Sequence, residues 1–85
     1  MKYEVQEKQN EDIRNRFTYH KPHGDQAERY VDVRDNAFRF ALLLATYAPQ
    51  SRELSLALTH LEDAVMWANA AIARNEKEST CVNAR

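Results

Sequence analysis

Apolar residues recur at helical spacing along the second half of the chain. The stripe comprises Leu54, Leu58, Leu61, Val65, Ala68 and Ile72. Its steps of four and three residues form a heptad seam, which is typical of a helix that packs along a partner helix. Ser51 is a residue type that often caps a helix N-terminus. The pattern therefore predicts a helix over 51–75.

An earlier apolar stripe predicts a helix over 25–48. It comprises Ala27, Tyr30, Val31, Ala37, Phe38, Ala41, Leu44, Ala45 and Ala48. Asp25 followed three residues later by Glu28 has the spacing of a capping box, so we expect the helix to start at Asp25. Pro49 disfavours helical geometry at the residue before it and should end the helix.

Two helices joined by two or three residues lie antiparallel, so the sequence predicts a helical hairpin. The second half of the first helix is apolar on nearly all sides, and one partner helix covers only part of it. The residues that need further cover are Phe40, Leu42, Leu43, Tyr47, Met66 and Trp67. Because so small a hairpin buries little surface, we expect a homo-oligomer built from two-fold dimers. The alternative is an N-terminal arm that covers this surface through Ile13 and Phe17.

The segments around the hairpin are polar. We divide the chain into an N-terminal arm at 1–24, a helical hairpin at 25–76 and a disordered tail at 77–85. Within the arm, the stretch 14–24 contains three fixed positive charges, two histidines, two aromatic residues and no acid. Because this basic-aromatic stretch also contains the only glycine and a proline, we expect it to end as a loop.

The amino-acid composition limits the partners and the cellular location that we expect for this protein. Twelve Lys and Arg residues against thirteen Asp and Glu residues give a formal net charge of −1, which argues against DNA or RNA as a partner. No window approaches the roughly 20 apolar residues of a membrane span, so no membrane partner is expected. The single cysteine, Cys81, excludes an internal disulfide scaffold and favours a cytosolic location.

No pattern typical of catalysis is present. The sequence has no nucleophile elbow, no glycine-rich phosphate loop and no specific cysteine–histidine arrangement. His20 and His23 lie on either side of Pro22, and solvated loop histidines are favoured over a metal site there. We therefore expect no enzyme, no catalytic residue, no metal and no cofactor.

The basic-aromatic stretch favours binding of a nucleotide. Phe17 and Tyr19 offer aromatic faces on which bases stack, and Lys21 offers a positive charge for phosphate. The alternative is an arm that docks Phe17 into the core and leaves its charges in water.

Two arginines occupy unusual positions. Arg34 falls on the apolar stripe of the first helix, where a charge needs a partner. That partner is either a carboxylate across the hairpin, Asp63 or Glu62, or a ligand phosphate. Arg52 lies in the first helical turn, where the dipole disfavours a cation but free N–H groups favour an anion. It is either part of an anion site or simply exposed.

Two stretches resemble a pattern common in tailed-phage proteins. One is Ser51-Arg52-Glu53-Leu54-Ser55-Leu56-Ala57-Leu58-Thr59, continuing through Leu61-Glu62 to Met66-Trp67-Ala68-Asn69-Ala70-Ala71-Ile72-Ala73-Arg74-Asn75. The other is Phe17-Thr18-Tyr19-His20-Lys21-Pro22, followed by Gln26-Ala27-Glu28-Arg29-Tyr30. Together they resemble the helical-hairpin family of phage cyclic-nucleotide sponges, which includes anti-CBASS sponges, with a related domain in anti-Thoeris sponges. The resemblance covers about residues 13–76.

The resemblance implies an all-α fold with a short N-terminal helix and a long antiparallel hairpin, assembled into a hexamer as a trimer of dimers. It implies that cyclic dinucleotides lie between the N-terminal regions of paired protomers, where Tyr19 stacks on a base and Arg34 meets phosphate. Cyclic trinucleotides would occupy separate three-fold pockets lined by Arg52 and Asn36, although Thr is expected at the position of Asn36.

The function implied is that of a phage anti-defence protein in the host bacterial cytoplasm. It would sequester cyclic oligonucleotide second messengers without cleaving them and so block CBASS-type immunity. The alternative hypothesis is a ligand-free helical interaction module, such as a phage adaptor that binds a host protein through Phe40, Leu43 and Tyr47.

Overall fold

A computed structural model describes residues 1–77 of the chain, and these residues form three helices without a β-strand. The helices are α1 at Glu7–Phe17, α2 at Gln26–Tyr47 and α3 at Arg52–Asn75. The predicted all-α fold and long antiparallel hairpin are confirmed. Apart from Lys77, the predicted tail and Cys81 lie outside the described residues.

The two predicted helix caps have different outcomes. The side chain of Ser51 accepts a hydrogen bond from the backbone N–H of Leu54 at 3.1 Å, so this cap is confirmed. The capping box at Asp25 is wrong, because the Asp25 side chain makes no capping hydrogen bond. Its carboxylate instead accepts a hydrogen bond from Nε of Arg29 at 3.1 Å. Gly24 precedes it with φ at 58°, a left-handed conformation that suits glycine.

The seam between α2 and α3 departs from the predicted stripes. The less exposed residues of α2 and its C-cap are Gln26, Arg29, Tyr30, Val33, Ala37, Ala41, Leu44 and Ala48. Those of α3 are Leu54, Ala57, Leu58, Leu61, Val65, Asn69, Ala70, Ile72, Ala73 and Arg74. Val33 therefore faces the seam while Arg34 lies beside it, and Asn69 faces the seam where Ala68 was expected. An α-helix does not complete a whole number of turns in seven residues, so a strict heptad repeat rotates slowly around its surface. The position that faces the partner helix therefore shifts along the chain.

One chain leaves much of its apolar surface uncovered. The radius of gyration is 17.3 Å, against about 12 Å for a compact domain of this length. The exposed large apolar residues of the hairpin are Val31, Phe38, Phe40, Leu42, Leu43, Tyr47, Leu56, Met66 and Trp67. These include every residue predicted to need further cover.

The N-terminal arm does not supply that cover. Phe17 is 84 % exposed at the end of α1, and Ile13 is also exposed. The alternative in which Phe17 docks into the core is therefore wrong for the single chain. The side chain of Asn15 instead ties α1 to the far end of α3 by donating a hydrogen bond to the carbonyl of Arg74 at 3.2 Å.

Among the described residues, no helix combines the length and apolarity that a bilayer crossing requires.

Candidate functional site

A groove lies at the open end of the hairpin, where the loop after α1 meets the start of α2 and the end of α3. Its volume is about 390 Å³. Its lining comprises Arg16, Thr18, Tyr19, His20, Tyr30, Arg34, Asn69, Ala70, Ala73 and Arg74. We call it the arginine groove. It brings together Tyr19 and Arg34, the pair predicted to hold a cyclic dinucleotide.

The loop that carries Tyr19 is held by its neighbours. Nε2 of His20 lies 2.8 Å from the carbonyl oxygen of Asn15, and the Asn15 amide bonds in turn to the Arg74 carbonyl. The hydroxyl of Thr18 donates to the carbonyl of Arg14 and closes the last turn of α1. The tyrosine ring itself remains 81 % exposed, so its face is free to stack on a ligand.

A polar cluster closes the open end of the hairpin beneath this loop. Gln26 is only 1 % exposed, and its amide donates to the Ile72 carbonyl and the Glu76 carboxylate while accepting from the His23 N–H. Arg29 forms two hydrogen bonds with Glu76, at 2.7 and 2.6 Å. This hydrogen bonding raises the pKa of Arg29 above its ordinary value, because the Glu76 carboxylate favours the charged guanidinium.

Arg34 has no ionic partner among the described residues. Asp63 and Glu62 were the carboxylates expected to pair with it, and neither does so within residues 1–77. Glu62 shares with Arg34 a second, mainly apolar groove of about 520 Å³ in the middle of the hairpin. Arg34 thus lies between an apolar groove and the arginine groove with its guanidinium unpaired.

The arginine groove has the chemistry of an anion site. Arg16 is paired with Asp12 at 3.0 Å in an exposed bridge, which is a weak interaction in water. The side chains of Arg34 and Arg74 form no ion pair within the described residues. Guanidinium groups bind phosphate in bidentate fashion, and tyrosine rings stack on bases, so the groove suits a nucleotide.

A family model described as the Acb2/Tad1 hairpin domain matches residues 9–73, which is most of the chain. The chain belongs to this family. The Acb2/Tad1 hairpin family is that of the anti-CBASS and anti-Thoeris sponges, so the predicted resemblance is confirmed. Its members are phage anti-defence proteins that act as cyclic-nucleotide sponges in the host cell. Comparison with curated proteins and with solved structures found no significant match.

The match covers all of α2, all but the last two residues of α3, and nearly all of the arginine groove. It includes every residue of the groove except Arg74, and it reaches neither Met1 nor the chain end. The groove is therefore a feature of the matched hairpin domain.

Two predicted binding residues lie outside the groove lining. Lys21 is exposed two positions after Tyr19, on the same loop of the hairpin domain. Phe17 ends α1 with its ring in solvent. The single chain does not bring either side chain into the groove, and their roles in binding stay predictions.

A separate groove of about 620 Å³ lies at the turn between α2 and α3. Its lining comprises Ala45, Gln50, Ser51, Arg52, Leu54, Ser55 and Leu58. We call it the turn groove. Arg52 is exposed there, without an ion pair in the described chain.

Asn36 is not part of the turn groove. It lies on α2 eleven residues before the helix end, about 16 Å along the axis at 1.5 Å per residue. Its amide donates to the Asp32 carbonyl of its own helix at 2.8 Å. One chain therefore does not bring Asn36 to Arg52, and a shared site would need residues from different protomers.

Eight of the ten lining residues were not predicted as site residues, and those with phenol, amide or guanidinium groups are Arg16, Tyr30, Asn69 and Arg74. Tyr30 was assigned to the hairpin seam, and Arg16 was noted only as part of a basic stretch. Asn69 carried a signal, because it is a polar residue in a run of alanines near the end of an apolar stripe. Arg74 gave no signal in the sequence, because basic residues are common in the last turn of a helix.

Within residues 1–77, no group of three or more histidine, cysteine or acidic side chains is arranged to hold a metal ion.

Proposed function

We propose that this protein binds cyclic oligonucleotide second messengers and sequesters them without cleaving them, which would block CBASS-type immunity in the infected host. The observation that carries the proposal is the convergence of exposed Tyr19 and unpaired Arg34 on one groove. Family membership supports the same class of ligand. Sequestration works by mass action, because tight sites in excess lower the free messenger below the level that activates an effector.

The size of the groove favours a site shared by two chains. About 390 Å³ lies at the low end of the range for small-molecule pockets, which is about 300–1,000 Å³. A cyclic dinucleotide repeats one nucleotide–phosphate unit around its ring. Two grooves that face each other across a two-fold axis would each hold one unit, with Tyr19 on the base and Arg34 on the phosphate.

Exposed apolar surface supports assembly into a homo-oligomer. Phe40, Leu43 and Tyr47 of α2 and Trp67 of α3 all face solvent in the single chain. Several large apolar side chains exposed on one small chain are typical of an interface. We propose a hexamer arranged as a trimer of dimers, in keeping with the hairpin family.

The turn groove supports a second class of site, for cyclic trinucleotides. Around a three-fold axis, three copies of Arg52 would surround a ligand with three phosphates, and the start of α3 would add its dipole. Asn36 of a neighbouring protomer would line the same pocket. The turn groove shares no lining residue with the arginine groove, so the two ligands would bind independently.

The test is recovery of the messenger. Purified protein is mixed with a cyclic dinucleotide, free ligand is removed, and the protein is denatured by heat. We expect intact cyclic dinucleotide in the supernatant, quantified by chromatography. Linear product would contradict sequestration and indicate a phosphodiesterase, and a parallel incubation with added Mg²⁺ or Mn²⁺ checks for metal-dependent cleavage.

The exposed Phe40, Leu43 and Tyr47 also favour a second candidate, an adaptor that binds a host protein. Thermal melting distinguishes the two. A ligand at 100 times its dissociation constant stabilises a binder by about 2.7 kcal/mol. If no cyclic di- or trinucleotide raises the melting temperature, the adaptor is favoured.

A further inference from the structure

Asn69 interrupts the apolar face with which α3 meets α2. The less exposed positions from Leu54 to Ala73 are otherwise apolar in the described chain: Ala57, Leu58, Leu61, Val65, Ala70 and Ile72. A polar residue in such a seam costs stability compared with an apolar one, so its presence calls for a physical reason.

The oxygen of the Asn69 amide lacks a hydrogen-bond partner in the described part of the chain. This atom, Oδ1, is buried and accepts no hydrogen bond within residues 1–77. The other seam amide, that of Gln26, has three hydrogen bonds. Buried polar atoms in native proteins are nearly always paired, so an unpaired acceptor points to a partner from outside the chain.

Asn69 also lines the arginine groove, and it is the one neutral amide there. The arginines of the groove suit phosphate, and the two tyrosines, Tyr19 and Tyr30, suit stacking on a base face. Neither phosphate contacts nor stacking distinguishes one base from another. A hydrogen bond to a base edge does, and an amide offers a donor and an acceptor side by side.

We propose that Asn69 reads the base of the bound nucleotide and sets the base preference of the groove. This inference rests on the proposed function. Rotation about the Cα–Cβ bond would carry the whole amide out of the seam to the groove, where Oδ1 and Nδ2 can together pair with a purine edge that presents one donor beside one acceptor. Base reading then supplies the hydrogen bonds that the amide lacks in the free chain.

The substitution Asn69→Asp gives the inference a directional test. A carboxylate only accepts hydrogen bonds, so it loses the complementary pairing with the N1 and N6 amino edge of adenine. Guanine presents two adjacent donors, N1–H and the N2 amino group, and these match a carboxylate. The added negative charge weakens binding of every anionic ligand alike, so it cancels from the ratio of two affinities.

The experiment measures calorimetric dissociation constants of cyclic di-AMP and cyclic di-GMP for the full-length protein and two variants. For Asn69→Asp, we expect the preference for cyclic di-GMP over cyclic di-AMP to rise by about tenfold or more relative to wild type. The control is Asn75→Asp, which adds the same charge one to two turns further along α3 on an exposed side chain outside the groove. Its preference should equal that of the wild type.

A second variant keeps the inference testable if Asn69→Asp fails to fold. Asn69→Ala removes the base contact without adding charge, so the affinity for both ligands should fall and any wild-type preference between them should move toward one. If the ratio of the two affinities is the same in both variants as in the wild type, the inference is overturned. Wild-type affinity for both ligands in either variant would also overturn it, because a second chain and not the ligand would then cover the amide. Wild-type protein that binds neither ligand would instead refute the proposed function itself, and base reading with it.

Discussion

Arg34 shows how one side chain can identify a site. Its guanidinium lies beside apolar residues with no carboxylate partner in the described chain, although Glu62 lines the same central groove. An unpaired cation next to a tyrosine-lined groove is poised to bind an anion.

The first prediction concerns Arg34→Ala. Hydrogen bonds to charged groups contribute about 1.5–3 kcal/mol each, and the substitution removes one Arg34 from each half of the two-fold site. We therefore expect cyclic dinucleotide affinity to fall by at least about 100-fold in calorimetry. The mass of the oligomer should not change, since the substitution leaves the exposed apolar side chains of the proposed interface in place. Arg34→Lys retains the charge but not the bidentate geometry and should bind with intermediate affinity. Unchanged dinucleotide affinity in Arg34→Ala would contradict its role.

The second prediction concerns Arg52→Ala. Three copies of this residue would surround one cyclic trinucleotide, so the substitution removes three charges from one site, and trinucleotide binding should be lost. Dinucleotide affinity should stay within about twofold, because the two grooves share no residue. Calorimetry with both ligands on the same preparation provides the comparison. Equal loss of both ligands would show that the two pockets are wrongly placed.

The helices are joined at their open end by polar contacts rather than by apolar packing. Gln26 and Arg29 at the start of α2 both bind Glu76, which caps the end of α3. The same end of α3 receives α1 through Asn15. These contacts set the position of the loop that carries Tyr19.

The third prediction concerns Gln26→Ala. Removing a buried amide leaves its former partners unsatisfied, so we expect a loss of about 1–3 kcal/mol in the free energy of unfolding. Denaturant unfolding followed by circular dichroism measures it. The control Gln9→Ala changes an exposed glutamine on α1 and should lie within about 0.5 kcal/mol of wild type. Equal stability of the two variants would mean that the cluster does not hold the hairpin end.

The whole molecule is extended, with a wide apolar surface that a single chain cannot bury. Its dimensions are 49 × 44 × 20 Å, and the large side chains of the second half of α2 point outward. A hairpin with so small an interior would gain stability by burying that surface against further copies, as the proposed assembly does. Assembly would also bring together the two halves of a cyclic dinucleotide site.

The fourth prediction concerns Leu43→Glu, on the exposed apolar surface of α2. Light scattering should give the wild type a mass about six times the 9.9 kDa of one chain, and the variant a smaller one. The dissociated variant should also lose most dinucleotide affinity, because one groove holds half of the ligand. Asn10→Glu on α1 is the control for added charge. A monomeric wild type would refute the assembly.

Periodicity and turn chemistry alone predicted the hairpin. The spacing of leucines, the serine cap at Ser51 and the break at Pro49 are local signals, and local physics decides helix position. The resemblance carried by 13–76 predicted the family in the same way, from residues adjacent in sequence.

Other features depend on residues distant in sequence. Asp25 had the spacing of a cap, but its carboxylate accepts a hydrogen bond from Arg29 instead. Arg29 in turn bonds to Glu76, which is distant in sequence but lies at the same open end of the hairpin. The heptad placed Ala68 in the seam, whereas helix geometry put Asn69 there. The groove exists because Tyr19, Arg34 and Arg74 meet only when the hairpin folds back. Sequence patterns report which face of a helix is apolar, but contacts between helices decide which polar side chains converge and which stay unpaired.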